Sequence, residues 1–327
     1  MKILIIGGGV AGSTAAAELL ARDFDVTLIQ DKVWDKPCGG GVKTKLFERF
    51  GLDKSLIHHF QDRVYMVYKG KKIEIPLKGE NLAIVKREEF DEYLRKKAQK
   101  EGAKLFYGRF KGIEGKKAVI DIKGERVLFD YDILIGADGV NSSVRKALNL
   151  PPVPKTITHY AKTKEYKTEY CEFFFDRELG GEYYAWAFPH GEYSHIGSVD
   201  KKSFKNLCSY LGVNVKARGY FIPVWEEGVV IQKGNVYFVG DAAAQVMPLS
   251  FEGIYYAMGS AEVLAGCIKE GLDYKKEWDK RFLRDFKFTK RLEKLNKTFL
   301  RSVVVKMHEF EFVKNLSVSI WLGEKSF

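Results

Sequence analysis

The sequence predicts an α/β protein that combines a parallel sheet with an inserted antiparallel lobe and a C-terminal helical tail. A glycine-rich turn follows an apolar strand at the N-terminus, and two later apolar strands end in Gly-Ala-Asp and Gly-Asp turns. Between those two strands the chain is aromatic and rich in short strand-like runs. Since the chain has 327 residues, it is long enough for about two domains with a sizeable core.

The composition narrows the class of protein. With 46% hydrophobic and 30% charged residues and only 8 prolines, a disordered chain, a collagen and a coiled coil are excluded. Four cysteines are widely spaced without a CxxC pair, so they predict no disulfide scaffold and no metal site: Cys38, Cys171, Cys208 and Cys267. This usage fits a reducing cytoplasm.

The formal net charge of +11 leaves two explanations open. One is a solvated surface rich in Lys and Glu. The other is an anionic partner, such as a diphosphate, a lipid headgroup or a nucleic acid. The excess is partly local, because the stretch from Tyr274 to Lys314 holds 13 Lys or Arg and 6 Asp or Glu. No stretch of the sequence is long and apolar enough to predict a membrane span, so any membrane contact must be peripheral.

The chain opens with strand, glycine turn, helix and strand in direct succession, at residues 2–6, 7–12, 13–22 and 25–30. In the G-x-G-x-x-G turn, Gly7 permits the tight turn and Gly9 lets the backbone approach a pyrophosphate. Gly12 lets the helix pack closely on the sheet. Free N–H groups at the helix N-terminus then face the phosphates. The spacing predicts a Rossmann-type dinucleotide site.

One position departs from that pattern. An acidic residue that binds a ribose is expected at the end of the second strand, where this chain has Gln30 followed by Asp31. An amide can still hydrogen-bond ribose hydroxyls without the charge. We favour Gln30 as the ribose contact and keep Asp31 as the alternative.

The remaining elements follow from apolar runs and turn residues. We expect a strand at 82–85, a helix at 88–102, a β-meander at 113–131, strands at 131–135 and 236–239, and a helix at 253–268.

Three motifs occur in order: the glycine turn at 7–12, Ala137-Asp138-Gly139 with Ser142 and Arg145, and Gly240-Asp241 followed by Pro248. In these motifs, over about residues 1–270, the chain resembles the large FAD-binding family of aromatic hydroxylases, flavin halogenases and geranylgeranyl reductases. The resemblance implies a Rossmann-type FAD-binding domain with an inserted antiparallel-sheet substrate lobe and a C-terminal helical tail.

The resemblance also implies FAD as the cofactor and assigns roles to single residues. Asp241 is expected to bind ribityl or ribose hydroxyls, Asp138 to help hold the pyrophosphate region, and Arg87 to contact FAD. The N–H groups at the start of the helix after Gly253 are expected to face the flavin. The full set of expected cofactor-binding residues is Gly7, Gly9, Ala11, Gly12, Gln30, Asp31, Cys38, Gly39, Gly40, Arg87, Asp138, Asp241, Pro248, Gly253 and Ile254.

Two further stretches are similar to geranylgeranyl reductases, which saturate isoprenoid double bonds. They are Cys38-Gly39-Gly40-Gly41 and the segment from Tyr184 to Pro189, Tyr-Ala-Trp-Ala-Phe-Pro. In that family the first run sits at the flavin and the second lines the isoprenoid channel. The resemblance therefore implies that both segments belong to the active site.

Side-chain alternation supports the second assignment. In an extended strand Tyr184, Trp186 and Phe188 share one face, and three aromatic side chains in line suit a polyprenyl chain. An ordinary sheet core explains the same pattern without a substrate. Phe251 is a fourth expected substrate contact, since the family usually has a glycine there and an aromatic side chain would reshape the mouth of the site.

The implied activity is reduction of C=C bonds in a polyisoprenoid, on a geranylgeranyl-type lipid, a diphosphate or a quinone tail. A hydride from N5 of reduced flavin and a proton would add across each bond. Cys38 is the candidate catalytic residue, as proton donor or positioning group. A bound water or Tyr184 remains an alternative donor. The external electron donor would be NADPH or a ferredoxin-like protein, since no second glycine motif is present.

Other activities use the same motifs. An FAD-dependent monooxygenase or halogenase-like enzyme acting on a hydrophobic substrate shares the three FAD motifs. A non-catalytic prenyl-binding protein on the same fold is the other alternative, although the intact glycines and Asp241 argue against it. No RNA-binding motif is present, so no nucleic-acid partner is expected.

The expected domains are discontinuous: 1–64, 82–150 and 230–270 for FAD, 65–81 and 151–229 for the antiparallel-sheet substrate domain, and 271–327 for the helical region. Basic and apolar residues mix between Trp278 and Leu322. This tail is either helices packed on the substrate lobe with a basic outer face or an amphipathic surface for an anionic membrane. We expect a cytoplasmic protein, with peripheral contact on the inner face of the membrane left open.

Overall fold

The computed structural model describes residues 1–33 and 36–322, without the side chain of Leu322. The described residues form two compact units. The first comprises residues 1–33, 88–155 and 222–286, and the second comprises 36–87, 156–221 and 287–322. Residues 323–327 of the expected helical region and 34–35 of the expected FAD-binding domain lie outside the description. The functional boundaries given above stay predictions.

The strands, in chain order, are β1 (Lys2–Ile6), β2 (Asp25–Gln30), β3 (Gly41–Lys43), β4 (His59–Gln61), β5 (Arg63–Tyr68), β6 (Lys71–Pro76), β7 (Leu82–Ile84), β8 (Lys104–Tyr107), β9 (Arg109–Glu114), β10 (Lys117–Ile122), β11 (Glu125–Asp130), β12 (Ile133–Gly136), β13 (Lys155–Thr163), β14 (Glu172–Phe174), β15 (Ala185–Pro189), β16 (Ser194–Ser198), β17 (Arg218–Pro223), β18 (Gln232–Lys233) and β19 (Val236–Phe238).

The helices are α1 (Val10–Leu20), α2 (Lys45–Arg49), α3 (Arg87–Lys100), α4 (Ser143–Ala147), α5 (Arg177–Gly180), α6 (Lys201–Leu211), α7 (Ile254–Glu270), α8 (Tyr274–Trp278), α9 (Arg284–Asn296), α10 (Arg301–Met307) and α11 (Glu311–Leu322). Short 3₁₀ turns lie at Lys54–Leu56 and Gly240–Ala243, and one π-helical turn at Asp279–Leu283 joins α8 to α9.

The first unit is built on a six-stranded sheet in the order β18-β19-β12-β1-β2-β8. The strand β1 pairs in parallel with both β2 and β12, and its apolar residues are buried. This confirms the predicted α/β class and the opening strand–turn–helix–strand unit. The helix α1 begins three residues earlier than expected, at Val10, because its N-cap is Gly9 within the turn itself.

Two other parts of the first unit follow the sequence pattern. The strands β9, β10 and β11 form a three-stranded antiparallel sheet, which confirms the β-meander and extends it back to Arg109. The helix α7 packs on α1 and turns Ala257, Ala261 and Ala265 inward. Small side chains on a buried helix face allow this close packing.

The second unit contains a seven-stranded sheet in the order β17-β13-β16-β15-β14-β5-β6. The pairs β13–β16, β16–β15, β15–β14 and β5–β6 are antiparallel, whereas β14 and β5 are parallel. The expected antiparallel lobe therefore carries a parallel pair. One face packs on α6, where Ala185 and Ala187 meet Phe204 and Leu207. On the opposite face, α10 and α11 contribute apolar residues to a second cluster. A small sheet, β3-β7-β4, completes the unit.

Candidate functional site

The glycine turn at the end of β1 shows why side chains are excluded there. Gly7 has φ +106°, and a Cβ at this position would overlap the carbonyl oxygen of Ala137. A Cβ on Gly12 would overlap the carbonyl oxygen of Gly7. A Cβ on Gly9, by contrast, would find no atom within 4 Å. The turn is therefore closed on the protein side and open at Gly9, as a backbone that receives a pyrophosphate requires.

The N-terminus of α1 is free of competing groups. Its N-cap is Gly9, no side chain caps it, and its first turn holds no acidic residue. The hydroxyl of Thr14 is buried without a hydrogen-bond partner in the described part of the chain. Unsatisfied N–H groups and the positive end of the helix dipole favour an anion here. The residues present therefore fit the diphosphate of a dinucleotide.

Gln30 holds the turn from the neighbouring strand. Its Oε1 accepts a hydrogen bond of 2.6 Å from the backbone N–H of Gly8. Its Nε2 donates one of 2.6 Å to the carbonyl oxygen of Lys32. Asp31 is instead exposed and forms a 3.2 Å ion pair with Arg109. The ribose role stays a prediction for both residues, while the contact of Gln30 with the turn is a role that the sequence did not indicate.

Arg95 also belongs to this site, although none of the sequence motifs includes it. It lies on α3, is buried, and donates from Nη1 to the carbonyl oxygen of Gly8 at 3.0 Å. A buried guanidinium charge thus lies beside the glycine turn. The available signal was its place directly after Leu94, on the buried side of a helix that also turns Phe90 and Ala98 inward.

Asp138 occupies the turn after β12. Its Oδ2 accepts from the backbone N–H of Ser143 at 2.6 Å, from the Ser143 hydroxyl at 2.8 Å and from the N–H of Val144 at 3.1 Å. It therefore closes the start of α4. Its Oδ1 is buried with no partner among the described residues, and contact of Asp138 with the pyrophosphate region stays a prediction.

Arg145, which follows on α4, is buried and binds backbone. It donates to the carbonyl oxygens of Pro151 at 3.0 Å, Val230 at 2.7 Å and Ala242 at 3.2 Å. Burial lowers the pKa of this guanidinium. The residue ties the turn after β12 to the turn after β19.

The three expected motifs meet at one edge of the sheet. The strands β1, β12 and β19 are adjacent and parallel, so the turns that follow them lie together at their carboxyl ends. Gly240 has φ +63°, and a Cβ there would lie 2.7 Å from that of Ala11. Asp241 follows in the 3₁₀ turn. This is the edge at which open α/β sheets bind their ligands.

The loop before α7 has unusual backbone conformations. Leu249 has φ +70° and Phe251 has φ +54°, in the left-handed region that favours glycine. A glycine at position 251 would adopt this conformation without strain, whereas this chain holds a phenylalanine in it. Gly253 is the N-cap of α7 and no side chain caps the helix, so the N–H groups from Ile254 onward are available to an acceptor.

In the second unit, the Cys-Gly-Gly-Gly run packs under the aromatic strand. A Cβ on Gly39 would lie 2.5 Å from the ring of Phe188, and one on Gly41 would lie 3.3 Å from it. Gly40 has φ +77°, and a Cβ there would overlap the carbonyl oxygen of Val85. Cys38 is a partly exposed free thiol, and its Sγ accepts from the N–H of Gly40 at 3.3 Å. The two motifs thus form one packed structure.

Two buried histidines that belong to none of the predicted motifs fix the same run. Nδ1 of His195 donates to the carbonyl oxygen of Cys38 at 2.7 Å, and Nε2 of His190 donates to that of Gly39 at 3.0 Å. Their ring centroids are 3.9 Å apart. Burial, with the neighbouring His195 next in effect, lowers the pKa of His190 to about 3, so this ring is neutral. The only signal was two histidines flanking a turn after the aromatic motif.

The aromatic residues of this segment form a connected set. Tyr184 is buried, whereas Trp186 and Phe188 are half-buried. The ring of Phe173 lies 5.4 Å from that of Tyr184 and 5.3 Å from that of Phe188. The indole of Trp186 lies directly over Gly197, where any Cβ would overlap it. The contacts with substrate predicted for these residues and for Phe251 stay predictions.

Arg87 begins α3 and is buried, and its contact with FAD stays a prediction.

Within residues 1–33 and 36–322, no three His, Cys, Asp or Glu side chains converge as a metal site would require. Over the same residues, none of the helices combines the length and the apolar character that crossing a membrane demands.

The chain is similar to known proteins in sequence and in fold. Residues 1–172 match the family described as FAD binding domain. The chain is 31% identical over 300 residues to the geranylgeranyl diphosphate reductase of Rhodobacter capsulatus, a match that covers 82% of this chain and 75% of that protein. It is 25% identical to the digeranylgeranylglycerophospholipid reductase of Methanocaldococcus jannaschii, covering 90% of this chain and 87% of that protein.

A solved structure agrees on the fold. The chain superimposes with a TM-score of 0.85 on the crystal structure of a geranylgeranyl bacteriochlorophyll reductase-like protein from Thermoplasma acidophilum, covering 97% of this chain and 95% of that one. The two sequences are 20% identical, so this likeness concerns the fold alone.

Proposed function

This chain belongs to the geranylgeranyl reductase family of FAD-dependent oxidoreductases, and on that premise we propose that it saturates C=C bonds of a polyisoprenoid chain. The substrate would be a geranylgeranyl-type lipid, a diphosphate or a quinone tail. The observation that carries the proposal is the packing of Phe188 on Gly39, because it joins the two motifs typical of this family into one structure.

The first unit has the residues to hold FAD. Gly7, Gly9 and Gly12 fit its diphosphate, with the N-terminus of α1 as the anion site. Asp138 and Asp241 lie at the same sheet edge and are the proposed polar contacts. When bound, FAD supplies the hydride that an alkene reduction requires.

The residues of the second unit would bind and orient the alkene. The half-buried faces of Trp186 and Phe188 offer apolar surface to a chain that has no polar groups along its length. Such walls also exclude water, which would otherwise compete for a reactive intermediate. An unactivated alkene accepts a hydride only as a proton reaches the other carbon, because the accessible charged species is a tertiary cation.

The proton requires a donor held at a fixed place. Cys38 is the proposed donor or positioning group, since its thiol is free and partly exposed in a backbone run that two histidines fix. Tyr184 and a bound water remain the alternatives. We propose NADPH or a ferredoxin-like protein as the external electron source, and a cytoplasmic enzyme that meets its lipid substrate at the inner face of the membrane.

An anaerobic assay tests the proposed function. The protein is purified with FAD, reduced with dithionite and mixed with geranylgeranyl diphosphate or an unsaturated archaeal phospholipid. We expect a gain of about two mass units per reduced bond. Trp186→Phe should retain most of the rate, whereas Trp186→Ser should lose about tenfold or more in kcat/KM because it removes the apolar wall.

Two results would overturn the proposal. One is oxygen insertion into a substrate with aerobic NADPH oxidation, which would identify a monooxygenase. The other is binding of the prenyl chain with no flavin in the purified protein, which would identify a non-catalytic carrier.

A further inference from the structure

One side of each of the last two helices is apolar and buried. Val305 of α10 and Val313 and Val318 of α11 are buried. Val305 and Val318 share a cluster with Ile73 and Ile75 of β6. These buried residues attach the helices to the sheet of the second unit. This agrees with the explanation that the tail consists of helices packed on the substrate lobe.

A second set of apolar side chains, on these helices and just before them, faces solvent. Val303 and Met307 are four residues apart and share one side of α10, and Phe312 and Leu316 likewise share one side of α11. Phe299 and Phe310 lie just before the two helices. The exposed fractions are 84% for Phe299, 51% for Val303, 41% for Met307, 60% for Phe310, 65% for Phe312 and 56% for Leu316. We call these six residues the apolar stripe.

An outer face of this kind is unusual for a protein surrounded by water. Helices on a protein surface normally turn polar residues outward, and large side chains clustered in the open mark a contact site. The basic outer face that the packed-helix explanation implies is therefore absent along this stripe. The charge around the exposed apolar residues then indicates which kind of partner they contact.

The surrounding charge is positive. Residues 287–314 hold eight Lys or Arg and three Asp or Glu. At the start of α10, a groove of about 480 Å³ includes the stripe residue Phe299 together with charged side chains: Lys69, Asp176, Arg177, Glu178 and Arg301. Arg301 is buried, and its Nη2 has no hydrogen-bond partner among the residues that the structure describes.

We propose that the apolar stripe and its basic surroundings are a docking surface for an anionic phospholipid bilayer. Aromatic and aliphatic side chains enter the boundary between headgroups and acyl chains, and flanking Lys and Arg bind anionic headgroups. The positive charge of this segment opposes a second copy of the same chain by like-charge repulsion. The inference rests on the proposed function only in that a lipid substrate resides at such a surface.

Vesicle flotation tests the proposal with the full chain. Vesicles of phosphatidylcholine are compared with vesicles that contain about 30% phosphatidylglycerol, at about 50 mM and about 500 mM NaCl. We expect flotation with the anionic vesicles at low salt and less at high salt. The triple variant F299S/F310S/F312S should bind at least about tenfold more weakly.

A matched control changes exposed apolar residues elsewhere in the same unit. Phe60, Ile157 and Phe221 are 57%, 39% and 41% exposed, and the variant F60S/I157S/F221S should float like the parent protein. Equal flotation of parent and stripe variant would overturn the proposal. So would a dimer of the parent protein that the stripe variant abolishes, since a second copy would then cover the stripe.

Reductase activity on dispersed geranylgeranyl diphosphate separates this inference from the proposed function. A protein that floats but reduces no alkene contradicts the proposed function alone. A protein that reduces the diphosphate but does not float contradicts the docking surface alone.

Discussion

His195 donates a hydrogen bond from Nδ1 to the backbone carbonyl oxygen of Cys38 at 2.7 Å. Nε2 of His190 makes the corresponding bond to the next carbonyl oxygen, that of Gly39, at 3.0 Å. Two neighbouring strand ends thus hold consecutive peptide groups of the run that contains the candidate thiol. The two rings use different nitrogens, and this difference makes the arrangement testable with isosteric amides.

The first prediction concerns His195. The amide nitrogen of asparagine occupies about the place of Nδ1, whereas that of glutamine matches Nε2, so His195→Asn should keep the bond and His195→Gln should lose it. Loss of a hydrogen bond worth about 1 kcal/mol should raise the alkylation rate of Cys38 about fivefold. The other three cysteines are buried, so alkylation reports mainly on Cys38, with Cys38→Ser as the blank. Equal rates in both variants would show that the bond does not restrain the thiol.

The second prediction concerns pH and His190. Its pKa is lowered to about 3 by burial, from the ordinary value of 6.5. Above about pH 6.5, His190 is neutral in both the folded and the unfolded chain. Between about pH 6.5 and pH 3, it is protonated in the unfolded chain and stays neutral in the folded protein. Stability should therefore fall as pH drops from about 6.5 towards 3.

His190→Gln keeps a donor at the Nε2 position without a titrating group. Between about pH 7.5 and 5.5 the parent protein should lose about 1.4 kcal/mol more unfolding free energy than this variant. Urea titrations at the two pH values measure the difference. A parallel decline of parent and variant would place the pH dependence in other groups.

The third prediction separates two glycines of the turn. Gly9 has an extended backbone with φ −80° and space for a Cβ, so Gly9→Ala should fold with stability within about 0.5 kcal/mol of the parent. The added methyl group occupies the approach to the pyrophosphate and should weaken FAD binding at least about tenfold. Gly12→Ala should instead lose about 2 kcal/mol or more, since its Cβ overlaps backbone. Flavin fluorescence titration measures the FAD affinity, and urea unfolding measures the stability of each variant. Unchanged FAD affinity in Gly9→Ala would show that the pyrophosphate does not approach the backbone at Gly9.

The fourth prediction concerns strain at Phe251. Because its φ is +54°, Phe251→Gly should be more stable than Phe251→Ala by about 1 kcal/mol, although both remove the ring. At Ser250, whose φ is not positive, the alanine variant should equal or exceed the glycine variant. Thermal or urea unfolding of the four variants provides the comparison. An alanine variant as stable as the glycine variant at position 251 would show that the loop relaxes at no cost.

Local sequence patterns were sufficient to predict the strands, turns and sheet edge of the first unit. An apolar run followed by G-x-G-x-x-G defines β1, its turn and α1, because the turn needs glycines for steric reasons that involve close neighbours. Placement of Asp138 and Asp241 at the same edge follows from the parallel order of their strands. Arg95 was not predictable in this way, since its contact with Gly8 joins residues 87 positions apart.

Sequence alone determined the α/β class, the glycine turn, the aromatic alternation of β15 and the family, since each depends on residues close together in the chain or on motif identity. Tertiary structure decided that Phe188 covers Gly39, that two histidines hold the Cys38 run, and that one side of the last two helices stays apolar in solvent. Those outcomes depend on distant segments meeting, and a pattern of period two or 3.6 specifies only which face of an element is apolar. It does not specify what that face will contact.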